Sequence, residues 1–203
     1  MDKHFLVRKI HSLFGIIPVG LFLLEHLFTN SFALKGAAAF DDKVEFFQSL
    51  PGLLLIETLF IFLPILFHGV YGLWIYYLGE SNVGRYGYYR NWSYLIQRLS
   101  GLITFIFIVY HVYITRLSAL LYGQEVSFGA MHQSLANPFL AAFYVVGLVA
   151  ATYHFANGIW GFLVSWGITI GPKAQRISSL VCSGIFVVLT IVGLNALLAF
   201  ING

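Results

Sequence analysis

The amino-acid sequence predicts an all-α integral membrane protein with five transmembrane helices, and three observations carry that prediction. The 203 residues are 59% hydrophobic and only 9% charged, where a soluble domain is about 25% charged, and the mean hydropathy is +0.84. Of the eight acidic residues only Glu25 and Glu57 fall inside apolar stretches, and no Asp, Glu, Lys or Arg occurs from Val126 to Gly171. Five apolar stretches reach the ~20 residues needed to cross about 30 Å of hydrocarbon. Together they make one membrane domain over residues 1–203.

The first span, roughly Ser12 to Phe32, follows "MDKHFLVRKIHSLFG". Basic residues ahead of an apolar run resemble a signal peptide, but this run is long and lacks a small-residue cleavage site, so it reads as a retained span. The next segment, "NSFALKGAAAFDDKVEFFQSLPG", carries "AAAFDDKVEFF", which fits a short interfacial helix. The second span runs from Leu53 to Leu78, and after "GESNVGRYGYYRN" the third runs from Tyr94 to Thr115. "YGQEVSFGAMHQSLANP" leads into the fourth, Pro138 to Trp166, and "GITIGPKAQR" precedes the fifth, Ser179 to Ile201. Each link is rich in turn formers or charge. Pro18 and Pro64 fall inside spans, where they would kink the helices. The single cysteine, Cys182, reads as a small buried hydrophobe. One cysteine excludes disulfides, iron–sulfur ligation by this chain and haem attachment through C-x-x-C-H.

Alternate loops divide the basic residues unevenly. One side receives Lys3, Arg8, Lys9, Arg85, Arg90, Arg98, Lys173 and Arg176, and the other receives Lys35, Lys43 and Arg116. Eight against three predicts a cytoplasmic N-terminus and an external C-terminus. Tyr86, Tyr88, Tyr89 and Trp92 fit an aromatic belt on the cytoplasmic side. The formal charge of +3 is spread over loops with no basic run suited to nucleic acid, so nucleic-acid binding is discounted.

Of seven histidines, His4 and His132 lie in loops and His11 at the mouth of the first span. His26, His68, His111 and His154 fall one per helix on the first four spans, where a strongly polar group is costly and faces the bundle interior. Each residue advances ~1.5 Å along a helix axis. His26 and His111 therefore share a level in the outer half, and His68 and His154 share one in the inner half. Two neutral imidazoles on facing helices can hold a b-type haem from both sides, so this pattern predicts two haem b, with His68/His154 as inner and His26/His111 as outer metal ligands. The first four spans then form a haem-binding bundle.

A repeated H-x-x-x-G-x-W pattern, His68, Gly72 and Trp74, then His154, Gly158 and Trp160, supports the inner site. Gly72 and Gly158 would open notches for a flat macrocycle. The outer pair has Asn30 and Thr115 at the matching positions. The plainer alternative is that each histidine donates to a backbone carbonyl across a helix interface. A zinc or copper site would need several ligands at one level, and no level has more than two.

Haem propionates need donors near an interface, and His11, Ser12, Arg98 and Lys173 at the cytoplasmic mouth suit the inner haem; lipid headgroup anchoring is the alternative for each. Glu57, four residues inside the external edge, is a candidate for quinone or proton chemistry, against a structural hydrogen bond. Glu25 is a weaker candidate, turned about 100° from His26.

The stretches "RKIHSLFGIIPVGLFLLEH", "LPILFHGVYG", "YYRNW", "QRLSGLITFIFIVYH" and "HFANGIWGFLVSWGITIGPKAQR" resemble the dihaem cytochrome b membrane anchors of bacterial succinate:menaquinone oxidoreductases, over essentially the whole chain. In that family the four haem histidines correspond to His26, His68, His111 and His154. The resemblance implies a subunit of the bacterial plasma membrane with no succinate-oxidising site of its own. It would dock on the cytoplasmic side to an iron–sulfur subunit that carries an FAD-containing flavoprotein. Electrons would pass through the inner and then the outer haem to menaquinone, near Glu57, with protons taken from the outer side. A quinol:fumarate reductase anchor, a dihaem b subunit of a hydrogenase or formate dehydrogenase, and a haem-free anchor or transporter are the competing readings.

Overall fold

A computed structural model describes residues 3–203. Among them no strand occurs, and five helices are long and apolar enough to cross a membrane: Lys3–Lys35, Leu53–Leu78, Tyr89–Tyr122, Pro138–Ser165 and Gly171–Asn202. Several run past the ends that hydropathy predicts. Apolar length marks only the part immersed in hydrocarbon, whereas helical hydrogen bonding continues until a residue breaks it. Glycines with positive φ do so at Gly36 (96°) and Gly123 (67°), a conformation that side chains with a Cβ disfavour.

The first span is two helices, α1 (Lys3–Ile16) and α2 (Pro18–Asn30), continued by a 3-10 turn over Ser31–Lys35. Pro18 lacks an N–H and crowds the preceding turn, which accounts for the joint at Ile17. A short amphipathic helix, α3 (Ala37–Gln48), follows as the sequence suggests. The second span comprises α4 (Leu53–Glu57), a π turn over Thr58–Phe62 and α5 (Leu63–Leu78); the wide turn directly precedes Pro64 and leaves room for its ring. The third comprises α6 (Tyr89–Val112), a second π turn over Tyr113–Leu117 and α7 (Ser118–Tyr122).

After α8 (Phe128–Leu135), the fourth span, α9 (Pro138–Ser165), starts at Asn137, whose side-chain oxygen accepts from Phe139 N at 2.9 Å. That cap and the proline at the first helical position satisfy an otherwise open helix start. The fifth span is α10 (Gly171–Asn202).

The fourth span is the hub, packing on α1, α6 and α10, while α1 also packs on α5. Thr152, fully buried, donates to Leu148 O at 3.0 Å and shares a 2.8 Å hydroxyl contact with Thr190 of α10, the kind of polar pairing that helps hold helices together in lipid. At the end of the bundle that carries the C-terminus, Phe40 of α3 meets Phe200 at 4.9 Å and 87°, and Phe128 meets Phe200 at 5.0 Å. Phe128 N donates to Asp41 at 2.7 Å and His132 Nδ1 to Phe200 O at 2.7 Å. These contacts fasten α3 and α8 over that end of the bundle. Leu66 of the second span and Leu180 of the fifth are 58% and 66% exposed, as lipid-facing side chains should be.

Candidate cofactor site

Inside the bundle the four embedded histidines meet in two facing pairs. His68 of α5 and His154 of α9 have ring centroids 6.1 Å apart with planes at 79°. His26 of α2 and His111 of α6 are 5.7 Å apart at 75°. These are the pairs that depth along the helices indicates. Two helices give the vertical spacing: ten residues separate Gly101, which lies against His154, from His111, and ten separate His154 from Tyr144, which bonds His111. Ten residues correspond to about 15 Å.

Hydrogen bonds orient the rings. His68 Nδ1 donates to His11 O at 3.0 Å and His154 Nδ1 donates to Gln97 O at 3.0 Å. A carbonyl only accepts, so the proton sits on Nδ1 and the lone pair on Nε2. His111 Nδ1 is 3.1 Å from the Tyr144 hydroxyl.

The glycines that lie closest to His68 and His154 differ from those expected. A Cβ at Gly15 would come within 2.5 Å of His68 Cε1, and one at Gly101 within 2.7 Å of His154 Cε1. These glycines sit on the first and third spans, facing His68 and His154 rather than beneath them. Gly72 instead faces His11 Nε2, 3.3 Å from an added Cβ, and Gly158 faces Gln97 Nε2 at 3.5 Å. The missing side chains at Gly72 and Gly158 therefore leave room for His11 and Gln97.

His11 is not at a free mouth. Its ring lies flat on His68, centroids 4.1 Å apart at 3°, and its Nε2 donates back to His68 O at 3.1 Å. Ser12 Oγ donates to Lys9 O at 2.9 Å and accepts from Trp166 Nε1 at 3.0 Å, while Lys9 Nζ donates to Ser165 O. These bonds tie the start of the first span to the end of the fourth. Arg98 donates to Gly79 O at 2.7 Å and to Tyr76 O, and its guanidinium lies over Tyr76 at 4.8 Å. Among the described residues its buried Nε has no hydrogen-bond partner. Lys173 is exposed in the first turn of α10.

Toward the end of the third span, Arg116 Nε and an Arg116 terminal nitrogen both donate to Glu57 Oε2, at 2.9 and 2.7 Å. Arg116 reads as a loop residue from hydropathy, yet it sits in the π turn of the third helix. A cavity of about 760 Å³ opens beside it, with Asp41, Glu45, Gln48, Gln124 and Glu125 also on its walls. Glu25 accepts from the Thr29 hydroxyl on its own helix.

Gly15, Gly101, Gln97, Tyr144 and Arg116 are the residues that sequence reasoning misses. Depth arithmetic could have found the two glycines, since both lie level with the inner histidines. Nothing in the spacing marks Tyr144 or Gln97.

Fold and site together define a multi-pass, all-helical membrane protein whose bundle carries two facing histidine pairs at two depths. The profile of the succinate dehydrogenase/fumarate reductase transmembrane subunits matches residues 79–193. The chain is also 46% identical over 200 residues to the succinate dehydrogenase cytochrome b558 subunit of Bacillus subtilis (strain 168), with 98% of each chain covered. The chain belongs to the succinate dehydrogenase/fumarate reductase transmembrane-subunit family.

Proposed function

We propose that this chain is the dihaem cytochrome b anchor of a succinate dehydrogenase, linking a docked iron–sulfur subunit to menaquinone. The two imidazole pairs carry the reading. Within each pair the two imidazoles face one another with ring centroids 6.1 and 5.7 Å apart, a spacing at which the pair could hold the iron of a haem between them. A bound haem supplies reversible one-electron Fe(III)/Fe(II) chemistry.

His68 and His154 would hold the inner group and His26 and His111 the outer one, each through Nε2. Gly15 and Gly101 keep side chains away from the inner ligands, and His11 packs His68 in place. The unpartnered Nε of Arg98 offers a donor to a propionate, with Lys173 nearer the surface. Glu57 is the candidate group for quinone and proton handling. Two Arg116 nitrogens donate to Oε2, which leaves Oε1 available to a second partner.

The N-terminus is assigned to the cytoplasm by the distribution of basic residues. The iron–sulfur subunit would then dock on the face bearing Arg85, Arg90 and Lys173, and succinate oxidation belongs to the flavoprotein it carries. The family covers both succinate oxidation and fumarate reduction, and the identity to the Bacillus subtilis protein favours the former. Adding succinate to the purified complex tests this: a reduced b-type α-band should develop, with an iron–sulfur protein co-purifying. A colourless chain, or a spectrum that succinate leaves oxidised, would contradict it.

A further inference from the structure

The Nδ1 atoms of the two inner ligands bond to backbone carbonyls, of His11 and Gln97. His154 Nδ1 also lies 3.2 Å from Gln97 Nε2, but that amide nitrogen only donates, and it donates to His154 O at 3.0 Å; His111 differs in that the acceptor for its Nδ1 is a side chain, the hydroxyl of Tyr144 on the fourth span. Tyr144 is only 6% exposed, and a buried phenol hydroxyl needs a partner. Its ring is held edge-on to Phe107, centroids 5.2 Å apart at 88°, and Phe107 stacks on His111 at 5.5 Å and 23°. Gly147, less than one turn further along α9, gives the Phe107 ring its space. The hydroxyl is thus fixed by packing on both sides of the bond it makes.

We infer that Tyr144 is the positioning residue of the outer site: its hydroxyl oxygen accepts the His111 Nδ1 proton and so directs the lone pair of Nε2 toward the metal. The inference rests on the dihaem reading above. A ligating histidine whose other nitrogen donates a hydrogen bond is a stronger electron donor, and such partners both orient the ring and tune the metal. Accepting that proton therefore stabilises the ferric state of the outer haem. The inner ligands obtain the same effect from carbonyls that no side-chain substitution removes.

The test is Tyr144→Phe in the whole complex, followed by redox titration of the b-type bands and low-temperature EPR. The outer signal is identified as the one lost in His26→Ala. Two haems per chain should remain, and at a fixed potential the outer Fe(III)/Fe(II) ratio should fall severalfold, where tenfold corresponds to 59 mV for one electron. The outer EPR g-values should move while the inner haem keeps both its potential and its signal. Site-specific 3,5-difluorotyrosine at position 144 keeps the shape and weakens the acceptor, so it should give a smaller shift in the same direction even if the phenylalanine variant fails to load its outer haem. Unchanged outer potential and g-values in the difluorotyrosine protein overturn the role of Tyr144 and leave the dihaem reading standing. Fewer than two haems in the unsubstituted protein overturn both.

Discussion

At the scale of single residues, the facing of His68 and His154 leaves no room for a side chain at Gly15 or Gly101. A Cβ at Gly101 would sit 2.7 Å from His154 Cε1, closer than real contacts allow, and neighbouring helices confine that imidazole. Gly101→Val is expected to lose the inner haem and keep the outer one, reducing haem content by half in a pyridine haemochrome assay. His68→Ala should have the same effect by removing a ligand. Glu57→Gln addresses a different step. The Glu57–Arg116 pair is mostly buried, with side chains 15% and 24% exposed, and removing one partner of such a pair leaves the other charge uncompensated. Quinone reductase activity should fall at least about tenfold, equivalent to about 1.4 kcal/mol in the barrier, with haem spectra retained; full activity would remove Glu57 from the quinone chemistry. The histidines were legible in the sequence because an imidazole inside an apolar run is conspicuous. Tyr144 and Gln97 were not, since an aromatic or amide among twelve tyrosines and other polar residues has no signature until the fold sets it beside a histidine.

At the scale of elements, the two π turns explain why Arg116 escaped notice. Residues of an α-helix are about 100° apart, so five residues would set Arg116 about 140° from the direction of His111. A π turn shifts the register by about one residue and brings Arg116 to within about 40° of it. Hydropathy ended the third span at Thr115 because an arginine follows, whereas the helix continues to Tyr122 and directs the guanidinium to Glu57. Deleting Ile114 should convert the wide turn to an ordinary one and leave Arg116 four α-helical steps, about 40°, from the direction of His111, so the ion pair is kept. The deletion variant is expected to retain both haems, because His111 lies before the turn, and to keep wild-type quinone reductase activity, whereas Arg116→Gln lowers it. Activity in the deletion variant as low as in Arg116→Gln would show that the direction of Arg116 alone does not secure the ion pair. The span centres and the interfacial helix α3 were readable from composition; helix ends were not, because they are set by glycine geometry and capping rather than by apolar length.

At the scale of the whole molecule, pairing and spacing came from arithmetic along four antiparallel helices, which is why they could be anticipated without any contact information. Ring planes could not. Both pairs are nearly perpendicular, at 79° and 75°, so both ferric haems should give strongly anisotropic low-spin EPR signals; the well-resolved rhombic spectra of parallel ligand planes would contradict that geometry. Orientation is tested separately. In sealed vesicles with the C-terminal side facing out, quinone reduction should draw protons from the external medium, and uptake from the lumen would reverse the assignment. The most direct test of the central claim is the haem content of the purified chain, by pyridine haemochrome assay with a reduced-minus-oxidised spectrum. Two b haems per chain are expected from the two histidine pairs. One would show that a pair does not bind haem, and none would leave all four histidines as interhelical hydrogen-bonding groups.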